Sequence, residues 1–336
     1  MKRLLISSPI IIICLAFLSF QEARQNNFTI RGRAQGTSYH VSYYHSKEIV
    51  SKYQIDSILE QIDYSMSLYV PNSLITQFNK SSKAGKLDAH FSNVLQKAFL
   101  ISKDTKGIFD ITVEPLLDAW GFSAVRRDSL PTKEKIDSLL PFVGMGKLKL
   151  EGNRLVKKQA AVQINVNGIA QGYTVDVLAD FLKEHGIRNF FIELGGEIRA
   201  EGRKPDNSQF MIGIEGPLEK GISKVGIKHR IYLENMAVTT SGGYNQFVRE
   251  DDKQYIHILN PTTGFPIESD ILSITVLAKD AITADGYDNA LMAMGMNEAL
   301  RFLRNRPFID AYIVYRTSDG IVQDTMTKGF KAIIKN

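Results

Sequence analysis

The period of the hydrophobic positions changes several times along the chain, and each change marks an element. Residues 28–44 alternate apolar and polar positions, interrupted at Gly32, Gly36 and Thr37, which predicts an opening β-hairpin. Residues 49–66 carry Ile55, Ile58, Leu59 and Ile62 at helical spacing, so an amphipathic helix is expected there, with a second over about 90–102. The polar stretch 123–141 reads as a surface insertion or a short helix beginning near Thr132. Alternation returns at 161–166 around Gln163 and Asn165, and Val175, Leu178, Ala179, Phe181 and Leu182 then follow at helical spacing. Strand-like runs occupy 190–194, 211–215, 221–227, 230–233 and 255–259. The strand at 161–166, the helix at 173–185 and the strand at 190–194 read as one crossover unit, right-handed if its strands are parallel. Clustered strands with scattered helices indicate an α+β fold of mixed sheets with packed helices, not a regular doubly wound sheet.

Composition narrows this little. At 336 residues, 44% hydrophobic and 23% charged, the chain is globular and long enough for one large or two medium domains. The net charge of +5 comes from 41 basic and 36 acidic residues without a long basic block, so nucleic-acid binding is not indicated, whereas an anionic small ligand suits the balance. Lys2 and Arg3 precede a nearly unbroken apolar run at 4–20 and a polar stretch at 21–27. Residues 1–25 are therefore expected to be an export signal or an N-terminal membrane anchor, and 26–336 the functional domain. The run is short for a membrane span, which favours a cleaved signal, a periplasmic protein, and anchoring to the bacterial inner membrane as the alternative. Cys14, the one cysteine, follows Ile13, whereas lipoprotein processing wants a small residue there. Without it the remaining chain has no thiol for disulfides or thiolate metal sites.

Five stretches carry candidate chemistry. Asn167-Gly168 joins the 161–166 run to the following helix. A glycine there lets a ligand approach the main chain, the free N–H groups favour an anion, and free carbonyl oxygens suit a hard cation. An ordinary Asn-Gly corner would look the same. Asp110 stands among apolar residues and needs a partner if buried. Thr239, Thr240 and Ser241 precede Gly242 and Gly243, and His257 sits in an apolar run just before an Asn-Pro turn, where a lone histidine is more often structural. Asp285, Asp288 and Asn289 share one helix face, either a Mg2+ half-site or an acidic first turn favoured by the helix dipole. The glycines form neither a dinucleotide fingerprint nor a phosphate-binding loop of the nucleotide-hydrolase kind.

Taken in order, these pieces resemble one family, the ApbE-type FAD:protein FMN transferases. The resemblance covers nearly all of 26–336. It runs through Gln35-Gly36-Thr37-Ser38-Tyr39, Met66-Ser67-Leu68-Tyr69 with Ser73 and Asn79, Gly107 to Val113 with Trp120-Gly121-Phe122, and Asn165 to Asp176. It continues through Glu193-Leu194-Gly195-Gly196, Thr240-Ser241-Gly242, His257 to Pro261 with Gly264, and Ala284-Asp285. The resemblance implies a flavin transferase fold with an FAD and Mg2+ site in a central cleft. It implies a metal held by the Gly168 main-chain oxygen and the Asp285 carboxylate, completed by Asp288 and Asn289. It also implies flavin contacts at Thr37, Tyr69, Ile108, Phe109, Asp110, Asn165, Gln171, Thr240, Ser241, Gly242, His257 and Leu259. Two residues depart from the pattern: Asn165 replaces the usual aspartate and Gln171 the usual lysine, a change that keeps the local charge and leaves an amide pair able to keep the hydrogen bonds.

What the resemblance implies chemically is transfer of FMN from FAD to a threonine or serine hydroxyl of an acceptor flavoprotein, with release of AMP. Asp285 serves through the metal and His257 is the candidate base, because an unperturbed imidazole titrates near about 6.5 and can accept a proton at neutral pH. An FAD pyrophosphatase giving FMN and AMP, and an FAD-binding protein without chemistry, are the alternatives.

Overall fold

The computed structural model describes residues 25–123, 127, 129–216, 226–242, 247–250 and 253–335. The expected leader at 1–25 therefore lies, but for Gln25, outside the described residues, as does most of the run at 221–227.

One eight-stranded sheet organises the chain. Its strands lie in the order Asn26–Ala34, Thr37–His45, Phe190–Leu194, Glu197–Glu201, Met236–Gly242, Ile271–Ala278, Ile309–Arg316 and Val322–Met326, and every neighbouring pair is antiparallel. The opening hairpin turns at Gln35 and Gly36, both with positive φ (51° and 77°), the left-handed pair that a tight two-residue hairpin requires. The helix Lys52–Met66 begins at a capping box between Ser51 and Gln54, the short helix Leu74–Lys80 is N-capped by Ser73, and Ala89–Asp104 by Asp88. The short helix Lys133–Leu139 starts at its Thr132 cap, as the polar stretch predicts.

Helices cover one face of the sheet. Asn167–Glu184 packs on the strands Phe190–Leu194 and Glu197–Glu201, and Ala281–Arg304 on Met236–Gly242 and Ile271–Ala278. The other face is covered by the ribbon Phe210–Glu215 with Ile227–Leu233 and the helix Lys328–Ala332, through Phe210, Ile231, Leu233 and Phe330.

Three expectations are corrected. Residues 162–166, buried but for the half-buried Gln163, form no strand, because backbone groups of Ile164 and Asn165 are taken elsewhere. The Asn79 side chain brackets Ile164, donating from Nδ2 to its carbonyl and accepting its N–H at Oδ1, both at 2.8 Å, and Asn165 N–H donates to Ile111 O at 2.7 Å. No parallel crossover exists here, since Phe190–Leu194 is antiparallel to both its neighbours. His257 is not inside a strand either: the strand Lys253–Ile256 ends before it and His257 stands in a bend.

Candidate active site

The helices Asn167–Glu184 and Ala281–Arg304 touch at Gly172. A Cβ on Gly172 would lie 2.4 Å from the Ala281 carbonyl oxygen and 2.7 Å from Asp285 Cβ, so only glycine permits the approach. Asp176 clamps the second helix to the first: its carboxylate accepts the N–H groups of Ala281 (2.9 Å) and Ile282 (2.8 Å) and pairs with Arg199 at 2.6 Å. With the helices locked, Asp285 Oδ2 accepts Gly172 N–H at 2.8 Å. In a regular helix that N–H would serve the Gly168 carbonyl, and Gly168 itself has a non-helical ψ of 19°. One turn along from Asp285, Asp288 Oδ2 accepts from Thr239 Oγ1 at 2.8 Å, while its Oδ1 is buried with no hydrogen-bond partner among the described residues. Asn289 accepts from Ser241 Oγ at 3.1 Å, and its Nδ2 lies 3.2 Å from where a Gly168 Cβ would stand. The fold thus brings Gly168, Asp285, Asp288 and Asn289 into one place, with Thr239 and Ser241 behind them.

Burial sets the electrostatics. Asp285 is 4% and Asp288 2% exposed. Burial, and then the Asp176 charge, push Asp285 up to about 7; burial, and then the Asp285 charge, raise Asp288 well above the carboxylate range. Glu197, which the sequence reading passed over, is pushed up to about 8 by burial and then by Asp285, and its Oε2 is also buried without a partner among the described residues. No group of three or more His, Cys, Asp or Glu that could hold a metal occurs among the described residues. The set around Asp285 is instead two carboxylates, an amide and a main-chain carbonyl. The carboxylates and the carbonyl are hard oxygen donors, the Asn289 amide joins them only by turning its oxygen from Ser241, and the orphaned Asp288 oxygen fits a cation such as Mg2+ that keeps several of its waters.

The remaining expected residues separate into those that reach this place and those that do not. A Cβ on Gly195 would meet Thr37 Cγ2 at 2.9 Å, Glu197 Oε2 at 3.2 Å and Gln171 Nε2 at 3.3 Å, so Thr37 and Gln171 stand beside Glu197. Gln35, between them and Thr174, donates to Thr174 Oγ1 at 2.9 Å and leaves its own Oε1 buried and unpartnered among the described residues. Tyr69 is held out into solvent, 69% exposed, on a turn fastened by Ser73 Oγ to the Ser67 carbonyl. Asp110 finds its partners in Thr112 and the Met145 N–H (3.0 Å), and it lines a cleft of about 440 Å³ with Lys106, Gly107, Gly144, Pro261 and Thr262. That cleft joins the Asp110 segment to the loop following His257.

Other side chains point elsewhere. Phe109 is core, and Ile108 packs against the same core. Leu259 is buried with Leu116, Trp120 and Ile136, so it supports the loop from beneath. Thr240 is exposed and bonds Thr275 at 2.9 Å on the sheet face opposite Thr239 and Ser241, since strand neighbours alternate. Gly242 ends that strand. Asn165 and Gln171 are not an amide pair. Asn165 Nδ2 donates to Glu114 Oε2 at 2.8 Å, whereas Gln171 Nε2 reaches the Gln35 carbonyl at 3.5 Å. Glu114 and Asp176 were missed along with Glu197. For Glu114 and Asp176 the available signal was a carboxylate standing among apolar residues, the same signal that marked Asp110, whereas Glu197 lies between Gly196 and Ile198-Arg199 and carried none.

Comparison with known proteins adds an independent line. The ApbE family pattern matches residues 35–313. A Haemophilus influenzae protein named FAD:protein FMN transferase is 32% identical, with 96% of each chain covered. The solved flavin transferase ApbE of Vibrio cholerae superposes with a TM-score of 0.83 at 32% identity, over 92% of this chain and 99% of that one. The apo flavinyl transferase ApbE of Pseudomonas stutzeri gives 0.83 at 33%, over 92% and 97%.

Proposed function

The chain belongs to the ApbE family, and from that premise we propose that it moves FMN from FAD onto a threonine or serine hydroxyl of an acceptor protein and releases AMP. The observation that carries the chemistry is the orphaned Asp288 oxygen beside Asp285, two buried carboxylates whose ionised forms a divalent cation would stabilise. Gly168, Asp285, Asp288 and Asn289 are the residues that would hold Mg2+, which when bound polarises phosphoryl oxygens and offsets charge on the leaving phosphate. The chain's own groups do the rest. Thr37 and Gln171, and the cleft beside Asp110, bind and orient the dinucleotide, and Tyr69 offers an exposed ring to the flavin. The acceptor hydroxyl oxygen bonds to the phosphorus on the FMN side, the bond to the AMP phosphate breaks, and His257 takes the hydroxyl proton. We extend the proposal to location: residues 1–25 direct export to the periplasm or hold the protein at the inner membrane.

Incubation with FAD, Mg2+ and an acceptor domain tests the reaction. Flavin fluorescence that stays on the denatured acceptor, with one AMP released per flavin bound, is the expected result. Free FMN with AMP would make the protein a pyrophosphatase, and unchanged FAD a carrier.

A further inference from the structure

Glu114 opens the helix Glu114–Trp120 and is 8% exposed, an ionisable side chain removed from water that the reaction above does not use. Its oxygens are held separately, Oε1 by Ser123 Oγ at 2.5 Å and Oε2 by Asn165 Nδ2 at 2.8 Å. At the other end of the same amide, Asn165 Oδ1 accepts the N–H of Asn167 at 2.8 Å. Asn167 is the first residue of the long helix and the neighbour of Gly168, which in turn lies against Asn289. The amide can stand only one way round, since its amino end must face the carboxylate and its carbonyl end the N–H. A carboxylate beside a helix N-terminus is also favoured by the macrodipole. Burial raises the Glu114 carboxyl above its ordinary range, the bonds from Ser123 and Asn165 favour its ionised form, and the Asp118 charge, one turn along the helix and paired with Arg127, raises it further.

We propose that Glu114 is a positioning residue for the Asn167-Gly168 turn: the turn is held by a single buried carboxylate, supplied from Glu114 through the Asn165 amide and not at position 165 itself. The inference rests on the flavin-transfer reading for its catalytic consequence and on the Glu114, Asn165 and Asn167 contacts for its structural one. Three isosteric variants count the charges. Glu114→Gln leaves none, Asn165→Asp sets two carboxylates face to face, and the double variant restores one, now at 165.

Each single variant is expected to lose about tenfold in kcat/KM for FAD, mostly through KM, and the double variant to return to within about threefold of the parent. Single variants at the parent value, or a double variant no better than the worse single, would overturn the proposal. If Asn165→Asp fails to fold, the double variant must still exceed Glu114→Gln. Melting temperatures of the same proteins without FAD or Mg2+ keep the two readings apart. A parent that transfers no FMN defeats the function, while a non-additive melting cycle still shows one shared carboxylate and an additive one removes it.

Discussion

Asp285 and Asp288 stand where ionisation is costly, and their protons report it. Burial raises both above their values in an unfolded chain, so between about pH 4 and 7 the folded protein holds protons that unfolding releases. Stability without ligand is therefore expected to fall as pH rises through that window. Added Mg2+ should raise the melting temperature more at about pH 8 than at about pH 5, because the ionised carboxylates bind it. Asp285→Asn keeps an acceptor for Gly172 N–H but not the charge. It should abolish the Mg2+ response and lower FMN transfer by about a hundredfold or more, and an unchanged Mg2+ shift in calorimetry would remove Asp285 from the metal set. His257→Gln should hold FAD affinity while slowing transfer by about 10² to 10⁴, since glutamine bonds but accepts no proton. Transfer at the parent rate with only the melting temperature altered would make His257 structural. At this scale the sequence showed which residue types could act. It did not show that Thr240 bonds Thr275 or that Asn165 answers to Glu114, because those partners lie 35 and 51 positions away.

At the scale of elements, the site depends on two helices approaching at Gly172. Gly172→Ala puts a methyl group into the Ala281 carbonyl and Asp285 Cβ, so the helices must part. Overpacking of this kind costs about 1 to 3 kcal/mol, and because Asp285 moves with its helix, activity should fall further than stability alone explains. Denaturant unfolding alongside transfer assays checks both, and a variant of parent stability and activity would show that the contact is slack. The helices themselves were legible from apolar spacing and, at Thr132, from the start of a polar stretch, while the Ser51 box and the Asp88 cap fixed the first turns in the structure. The stretch at 162–166 was not, because alternation records burial on one side and says nothing of what takes the backbone hydrogen bonds. There the partners are an asparagine side chain and Ile111.

At the scale of the molecule, the eight-stranded sheet joins strands from residue 26 to residue 326, and the site forms where its central strands meet the two helices. Removing residues 1–25 should leave a soluble protein that still binds FAD, as flavin fluorescence titration would report, whereas aggregation or lost binding would place that run within the fold. The α+β class, the opening hairpin, the helical stretches and the shared face of Asp285, Asp288 and Asn289 followed from the chain alone, because periodicity acts over a few residues, whereas Gly168 as a metal ligand came only from the family resemblance. The antiparallel order of the sheet, the clamp of Asp176 on Ala281, the burial that pushes Glu197 and Asp285 upward, and the route from Glu114 to the Asn167 N–H were decided only in three dimensions. Each depends on a partner far along the chain and on the removal of water between them, and neither quantity is written in local sequence.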